Sequence, residues 1–422
     1  MRSSRQLISE LAAFICAITT TLAPVMNTLP ANAASPTEPI KIGVEFPLTG
    51  ASANAGQHLV NGMNLYWDQI GHKIAGHPID FKVENDETNP AMAKEKVVKL
   101  ATVDKCPVLG GTFMSNALYA IAPTLEKLQM PYVVVSAGAD DLTQRKRNKW
   151  LVRTCYTSSQ VSHPLGEYAY KVLKLHKVVC IASDYAYGYE VVGGFQQCFE
   201  KAGGQVIQKL WAPIGFKDFT TMLKSVRKDA DAIFLCNVGQ SAEIIPKQIK
   251  QLGINKPLIG CTASFDESFY PRMGDGLLGA VSSSLYSTSL NTPANKKFVK
   301  AYHDKYGEEP SYFSEHGYTA AMWIAKAVAS LNGKVDNKDA LLAALKKVDL
   351  KDAPRGPVKL DEYGTSVDNV YISKVERKDG KLQNTVIYTY PNVSQFWTFN
   401  PTEYLKQPVY TKEWPPCTHC QP

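Results

Sequence analysis

Ile42-Gly43-Val44-Glu45-Phe46-Pro47-Leu48-Thr49-Gly50 decides how the rest of the chain is read. Residues 41–48 read as a strand that ends in a turn. Gly56 follows, and then residues 57–69, where Leu59, Met63 and Tyr66 share one helical stripe. A strand feeding a helix through a small-residue turn is the basic unit of α/β proteins. The unit recurs: 79–84 alternates like a strand, and Pro90 opens a helix that runs to Leu100. Residues 107–109, 131–135, 178–182, 232–236 and 257–260 are further strand-like runs separated by helix-length segments. Strands alternating with helices predict parallel sheets covered on both faces. The units are too many for one sheet, so the predicted class is α/β with two doubly wound lobes.

The later segments depart from that rhythm. Residues 293–306 and 313–331 read as long helices and 338–347 as a shorter one. Residues 357–359 and 371–390 read as antiparallel, with Lys378-Asp379-Gly380-Lys381 as a hairpin turn. Past Pro391 the chain is rich in proline and aromatics without periodicity, so 391–422 is expected to lie as a tail along a lobe surface.

At 422 residues, 45% hydrophobic and 20% charged, the chain has the size and composition of a soluble two-domain protein. Arg2 and Arg5 precede an apolar stretch over 11–26, and Ala31-Asn32-Ala33 supplies the small residues of a cleavage site. Residues 1–33 thus read as a signal peptide cleaved after Ala33, which predicts a periplasmic protein. Glu10, three consecutive threonines and Pro24 leave this stretch too short and polar for a membrane anchor. Cys16 lacks the small preceding residue a lipid-accepting cysteine requires. Cleavage would lower the formal charge of +7 by one. The densest basic cluster, Arg145-Lys146-Arg147, reads as a solvated loop, and no nucleic-acid partner is expected.

Eight cysteines follow the cleavage site. Cys180, Cys236 and Cys261 sit in apolar strand-like runs and read as buried small hydrophobes. Cys417-Thr418-His419-Cys420 lacks a second ligand pair for a metal, leaving a local disulfide or free thiols. Walker, G-x-S-x-G and H-E-x-x-H motifs are absent from the sequence. Gly274-Asp275-Gly276-Leu277-Leu278-Gly279 formally matches a dinucleotide fingerprint, but a strand-like run follows it where a helix is required. Asp140-Asp141 reads as a helix start and not as a carboxylate pair. The expectation is a protein that is not an enzyme and carries neither cofactor nor metal.

Ligands of open α/β sheets bind beyond the carboxyl ends of the strands. The loops there contain Thr49-Gly50-Ala51-Ser52, Thr112-Phe113-Met114-Ser115-Asn116, Ser136-Ala137-Gly138, Ser183-Asp184-Tyr185-Ala186-Tyr187-Gly188, Gly239-Gln240 and Cys261-Thr262. Small, hydroxyl and aromatic residues of this kind suit recognition of a small molecule by backbone amides and ring contact.

The order of these motifs resembles the type I periplasmic binding proteins of the leucine/isoleucine/valine-binding class. The opening strand and loop with Gly56 resemble theirs. So do Ala120-Ile121-Ala122-Pro123 with Met130-Pro131, the first lobe crossing at Arg153-Thr154 and Ser159-Gln160, the turn Asp184-Tyr185-Ala186-Tyr187-Gly188, and Phe216-Lys217-Asp218-Phe219. The resemblance covers about residues 40–390. It implies two Rossmann-like lobes joined by three crossover segments, the N-lobe from 38–155 and 286–356, the C-lobe from 156–285 and 357–390. It also implies a small-molecule ligand, the membrane permease and ATPase subunits of an ABC transporter as partners, and a monomer.

Amino-acid binders of this class hold the ligand carboxylate with a serine and an Ala-Thr pair, and the ammonium with a glutamate. Here those positions fall at Met114 with Ser115 beside it, at Ala137-Gly138, and at or near Thr262. Tyr187 matches a ligand-facing tyrosine. Phe113, Met114, Tyr185 and Tyr187 would form an apolar wall, or else Phe113, Met114 and Tyr185 pack below the cleft. Ser115, Asn116, Ser136 and the amides of Ala137 and Gly138 would form a polar end, and Gly239 and Thr262 are further candidate ligand-binding residues. That pattern suits an aromatic or apolar carboxylate better than a free amino acid. Two functions fit: the substrate-binding component of an ABC importer, or a secreted ligand-binding subunit of a sensory system.

Overall fold

The computed structural model describes residues 38–420, so the expected signal peptide and its cleavage after Ala33 lie outside the described residues. The first half of the chain alternates β1 (Ile40–Phe46), α1 (Ala53–Gln69), β2 (Lys73–Ile74), β3 (His77–Asn85), α2 (Pro90–Thr102), β4 (Val108–Gly111), α3 (Ser115–Leu128), β5 (Tyr132–Val134) and β6 (Leu151–Arg153). These strands form one sheet in the order β2-β3-β1-β4-β5-β6, parallel from β3 onward. Helices cover both faces, so the residues of β1, β4, β5 and β6 are nearly all buried, while β3 toward the sheet edge is half-buried.

After Arg153 the chain crosses to α4 (Ser158–Lys171), β7 (Lys177–Ser183), α5 (Ala186–Ala202), β8 (Gln205–Ala212), α6 (Thr220–Lys224), β9 (Ala232–Cys236), α7 (Gln240–Gln251), β10 (Leu258–Cys261), α8 (Tyr270–Met273) and β11 (Val281–Ser284). The strands β8-β7-β9-β10-β11 build a second parallel sheet. The chain then returns through α9 (Pro293–Tyr306), α10 (Tyr312–Ser330) and α11 (Lys338–Lys347). Helix α10 packs along α1 of the first lobe, where an alanine added at Gly62 or Gly317 would strike the facing backbone.

The remaining strands are β12 (Asp349–Ala353), β13 (Gly356–Leu360), β14 (Ser366–Lys378) and β15 (Lys381–Val393). β14 lies antiparallel beside β11 and extends the second sheet, and β15 pairs with β14. Their hairpin closes on Lys378 and Lys381, with Asp379 and Gly380 both at positive φ, the conformation that fits a two-residue turn to twisted strands. β12 and β13 form a ribbon that leads into β14, so residues 349–353 are hydrogen-bonded toward the second sheet.

The tail, with α12 (Pro401–Lys406), packs Phe396, Tyr404 and Tyr410 into a small aromatic cluster. Arg145 donates to the carbonyls of Gln407 (2.7 Å) and Tyr404 (3.0 Å) and pairs with Asp141 at 2.9 Å. The basic cluster read as a solvated loop is therefore partly folded under the tail. On the second lobe Tyr410 lies over Gly193 of α5, and Gln196 donates to Pro416 O at 2.9 Å. Cys417 and Cys420 form a disulfide, and the other six cysteines among the described residues are buried and free.

Candidate functional site

The loop after β4 is set by a buried polar cluster. Thr112 sits at φ +64°, a strained value for a β-branched residue. Its hydroxyl donates to Glu45 Oε1 and lies 2.7 Å from the Tyr132 hydroxyl, which itself donates to Glu45 Oε1 at 2.7 Å. Burial, and then the charge of Asp86, hold the Glu45 carboxyl well above its ordinary range. Phe113 and Met114 follow and are buried, Phe113 with its ring 5.5 Å from that of Phe313. Ser115 opens α3 and its hydroxyl oxygen accepts the Ala139 N–H at 3.0 Å. Asn116 is half-buried and its side-chain oxygen accepts the Ala117 N–H.

In the next loop Ser136 is buried, and its hydroxyl has no protein partner among the described residues. The Ala137 amide, expected at the polar end of the site, donates instead to Thr112 O at 3.0 Å and is committed to holding the two loops together. At Gly138 a Cβ would lie 1.9 Å from Ser158 Oγ. A threonine at this position has no room, which gives a steric reason for the missing hydroxyl.

The second lobe presents Tyr185 and Tyr187 at the start of α5, both buried, with ring centroids 6.0 Å apart. The Tyr187 hydroxyl and the Thr262 hydroxyl are buried without protein partners among the described residues. Gly239 stands at φ +57°, and a Cβ there would fall 2.4 Å from Ala51 O of the first lobe.

The lobes are closed on each other. Asn54 donates to Ser268 Oγ at 2.9 Å, and the Tyr312 N–H donates to Asp266 Oδ2 at 3.1 Å. Glu190, one turn after Tyr187 on α5, is the centre of a second junction. Its Oε1 accepts from the Tyr119 hydroxyl on α3 (2.7 Å) and from the Asp140 N–H (3.1 Å). Its Oε2 accepts from the Ser158 hydroxyl at 2.6 Å. Asp140 does start a short 3₁₀ turn, and its carboxylate caps the Ser159 N–H. Asp140 thus meets Glu190 through its backbone N–H, and burial raises the carboxyl groups of both.

Four residues that sequence reasoning missed complete the closed cleft: Tyr156, Tyr312, Phe313 and His316. Tyr156 follows the first crossing and is buried beside the His316 ring. The His316 ring lies 5.6 Å from Tyr156 and 5.1 Å from Tyr312. Phe313 touches Phe113 on one side and faces Phe269 of the second lobe at 6.4 Å. A residue directly after a lobe crossing is bound to face the other lobe, and that signal could have found Tyr156. Burial raises the Tyr156, Tyr185, Tyr187 and Tyr312 hydroxyls, so all remain protonated donors.

Of the two fully buried arginines nearby, Arg355 is paired with acids, while Arg153 keeps its Nε without a protein partner among the described residues. Arg355 pairs with Glu315 and Asp368, each at 2.9 Å, and Arg153 donates to Thr143 Oγ1 and Ala139 O, each at 2.8 Å. The side chains gathered between the lobes at Phe113, Tyr156, Tyr185, Tyr187 and Tyr312 are thus rings, with neutral hydroxyls on the tyrosines. Among the described residues no cluster of three or more histidine, cysteine or acidic side chains is placed to hold a metal ion. Nor is any described helix long and apolar enough to cross a membrane.

A family model of the periplasmic binding proteins matches residues 39–381. The chain belongs to that family. This binding protein has the type I two-lobed fold and is similar to an ABC transporter substrate-binding protein from Sphaerobacter thermophilus. The two share 32% identity at a TM-score of 0.79, over 85% of this chain and 99% of that one. It is similar as well to an ABC transporter solute-binding protein from Rhodopseudomonas palustris BisB5, solved in complex with 3,4-dihydroxybenzoic acid. Identity there is 30% and the TM-score 0.80, over 84% of this chain and 98% of that one. Among curated proteins, a Leu/Ile/Val-binding protein homolog from Brucella suis is 26% identical over 364 residues, 83% of this chain and 91% of that protein. Membership implies a periplasmic location, a small-molecule ligand and a membrane transporter as partner.

Proposed function

We propose that this protein is the substrate-binding component of an ABC importer and that its lobes close on an aromatic or otherwise apolar carboxylate. The observation that carries the reading is the gathering of the buried rings of Phe113, Tyr156, Tyr185, Tyr187 and Tyr312 with the Ser136, Tyr187 and Thr262 hydroxyls, which are buried without protein partners among the described residues. Stacked rings accept a flat apolar body, and neutral donors accept a carboxylate. A zwitterion also needs a carboxylate or aromatic partner for its ammonium group, and where the amino-acid binders have a glutamate, position 262 offers a threonine. The dihydroxybenzoate carried by the Rhodopseudomonas relative is a ligand of this class. In this reading Ser136, Ser115 and the Gly138 amide face the carboxylate, Tyr187 lies against the ring, and a permease with its ATPases receives the loaded protein.

Calorimetry with benzoate, a hydroxybenzoate, cinnamate, phenylalanine and leucine tests the proposal. At least one aromatic acid should bind far more tightly than leucine. Tyr187→Ala should weaken it by about 1–3 kcal/mol, the scale of losing a buried ring. Micromolar leucine binding with no aromatic acid bound would refute the reading.

A further inference from the structure

We propose that His316 is a specificity-determining residue of the cleft, its imidazole pairing with a hydroxyl substituent on the ring of the bound acid; this rests on the aromatic-acid reading above. His316 stands in the first turns of α10 at 1% exposure, with its ring beside Tyr156 and Tyr312. Neither Nδ1 nor Nε2 has a protein partner among the described residues. Buried polar groups are almost always hydrogen-bonded, so a histidine with both nitrogens unspent, inside a cleft built for a ligand, points at the ligand.

The chemistry of the ring then narrows the partner. Burial, and then the nearby Arg355 charge, hold the imidazole well below its ordinary pKa and so neutral. A neutral imidazole offers one N–H donor and one bare acceptor nitrogen. A carboxylate satisfies only the donor edge, and an unsubstituted ring satisfies neither. A phenolic hydroxyl donates to the bare nitrogen or accepts from the N–H, so it fits whichever edge faces the ligand. The carboxylate is meanwhile matched by the serine hydroxyls of the first lobe. His316 therefore reads the far end of the acid.

The test is calorimetry on the mature protein with benzoate and with 3- and 4-hydroxybenzoate, for wild type, His316→Phe and His316→Gln. Wild type should prefer a hydroxybenzoate over benzoate by at least about tenfold. His316→Phe should erase that preference while changing benzoate affinity by less than about threefold. His316→Gln, which keeps a donor and an acceptor, should retain part of it. Melting curves of the ligand-free variants establish that they fold, and if His316→Phe does not, the ratio in His316→Gln decides. An unchanged ratio in the folded variants, a parallel loss of both acids, or a wild type that prefers benzoate would overturn the proposal. A wild type that binds none of the three acids would overturn the aromatic-acid reading and this inference with it.

Discussion

Glu190→Ala should loosen the closed form without loosening the lobes themselves. The carboxylate is 1% exposed and receives three donors, two of them from the first lobe: the Tyr119 hydroxyl and the Asp140 N–H. In an open protein those groups face water. In a closed Glu190→Ala protein they are buried with no acceptor, at about 1–3 kcal/mol each. Water entering the space left by the side chain offsets part of this, so about 2–4 kcal/mol is the expected penalty on closure. At 1.4 kcal/mol per decade, ligand affinity should fall by about thirtyfold to several hundredfold. Glu190→Gln keeps the volume and one acceptor and should lose no more than about tenfold. Calorimetry with the tightest-binding acid, beside melting curves of the ligand-free proteins, separates the two forms. Affinity within twofold of wild type would refute the reasoning. So would an affinity loss matched by an equal loss of ligand-free stability, because the junction would then be permanent core.

The same carboxyl group sets a pH dependence. Burial raises Glu190, so closure favours its protonated form; that stabilisation is present at low pH and is lost as pH rises through the raised pKa. Ligand affinity should therefore decline as pH rises through that raised pKa, and the slope should vanish in Glu190→Gln. Gly239→Leu places a side chain where a Cβ already falls 2.4 Å from Ala51 O, so it should wedge the lobes apart. Small-angle scattering at saturating ligand should give a larger radius of gyration than wild type, and a wild-type value would show that the loop yields instead.

The architecture was legible because parallel strands buried on both faces leave short apolar runs between amphipathic helices, and β7, β9 and β10 are such runs. The β14–β15 hairpin was legible from Asp379-Gly380, where two positive φ values are needed. The site was legible only where it lies at strand ends. Tyr312, Phe313 and His316 lie in the first turns of α10, where an apolar stripe looks the same whether it meets a core or a cleft. Glu190 looks like one more helix-surface acid until α3 of the other lobe is brought against it. The Ala137 amide was assigned to the ligand because its hydrogen bond to Thr112 joins loops more than 20 residues apart, a pairing that only the folded sheet reveals.

The tail makes the two edges of the cleft unequal. On one edge, α3, α5 and tail residues Val409 and Tyr410 wall a space of about 570 Å³, and the tail is fastened to the first lobe through Arg145 and to the second through α5. A solute diffusing toward that edge meets a fence that moves with both lobes. On the other edge the lobes meet through the Asn54–Ser268 hydrogen bond and the bare approach of Gly239 to Ala51. Opening the second edge breaks the Asn54–Ser268 and Tyr312–Asp266 hydrogen bonds, whereas opening the first must also part the tail from one of the lobes.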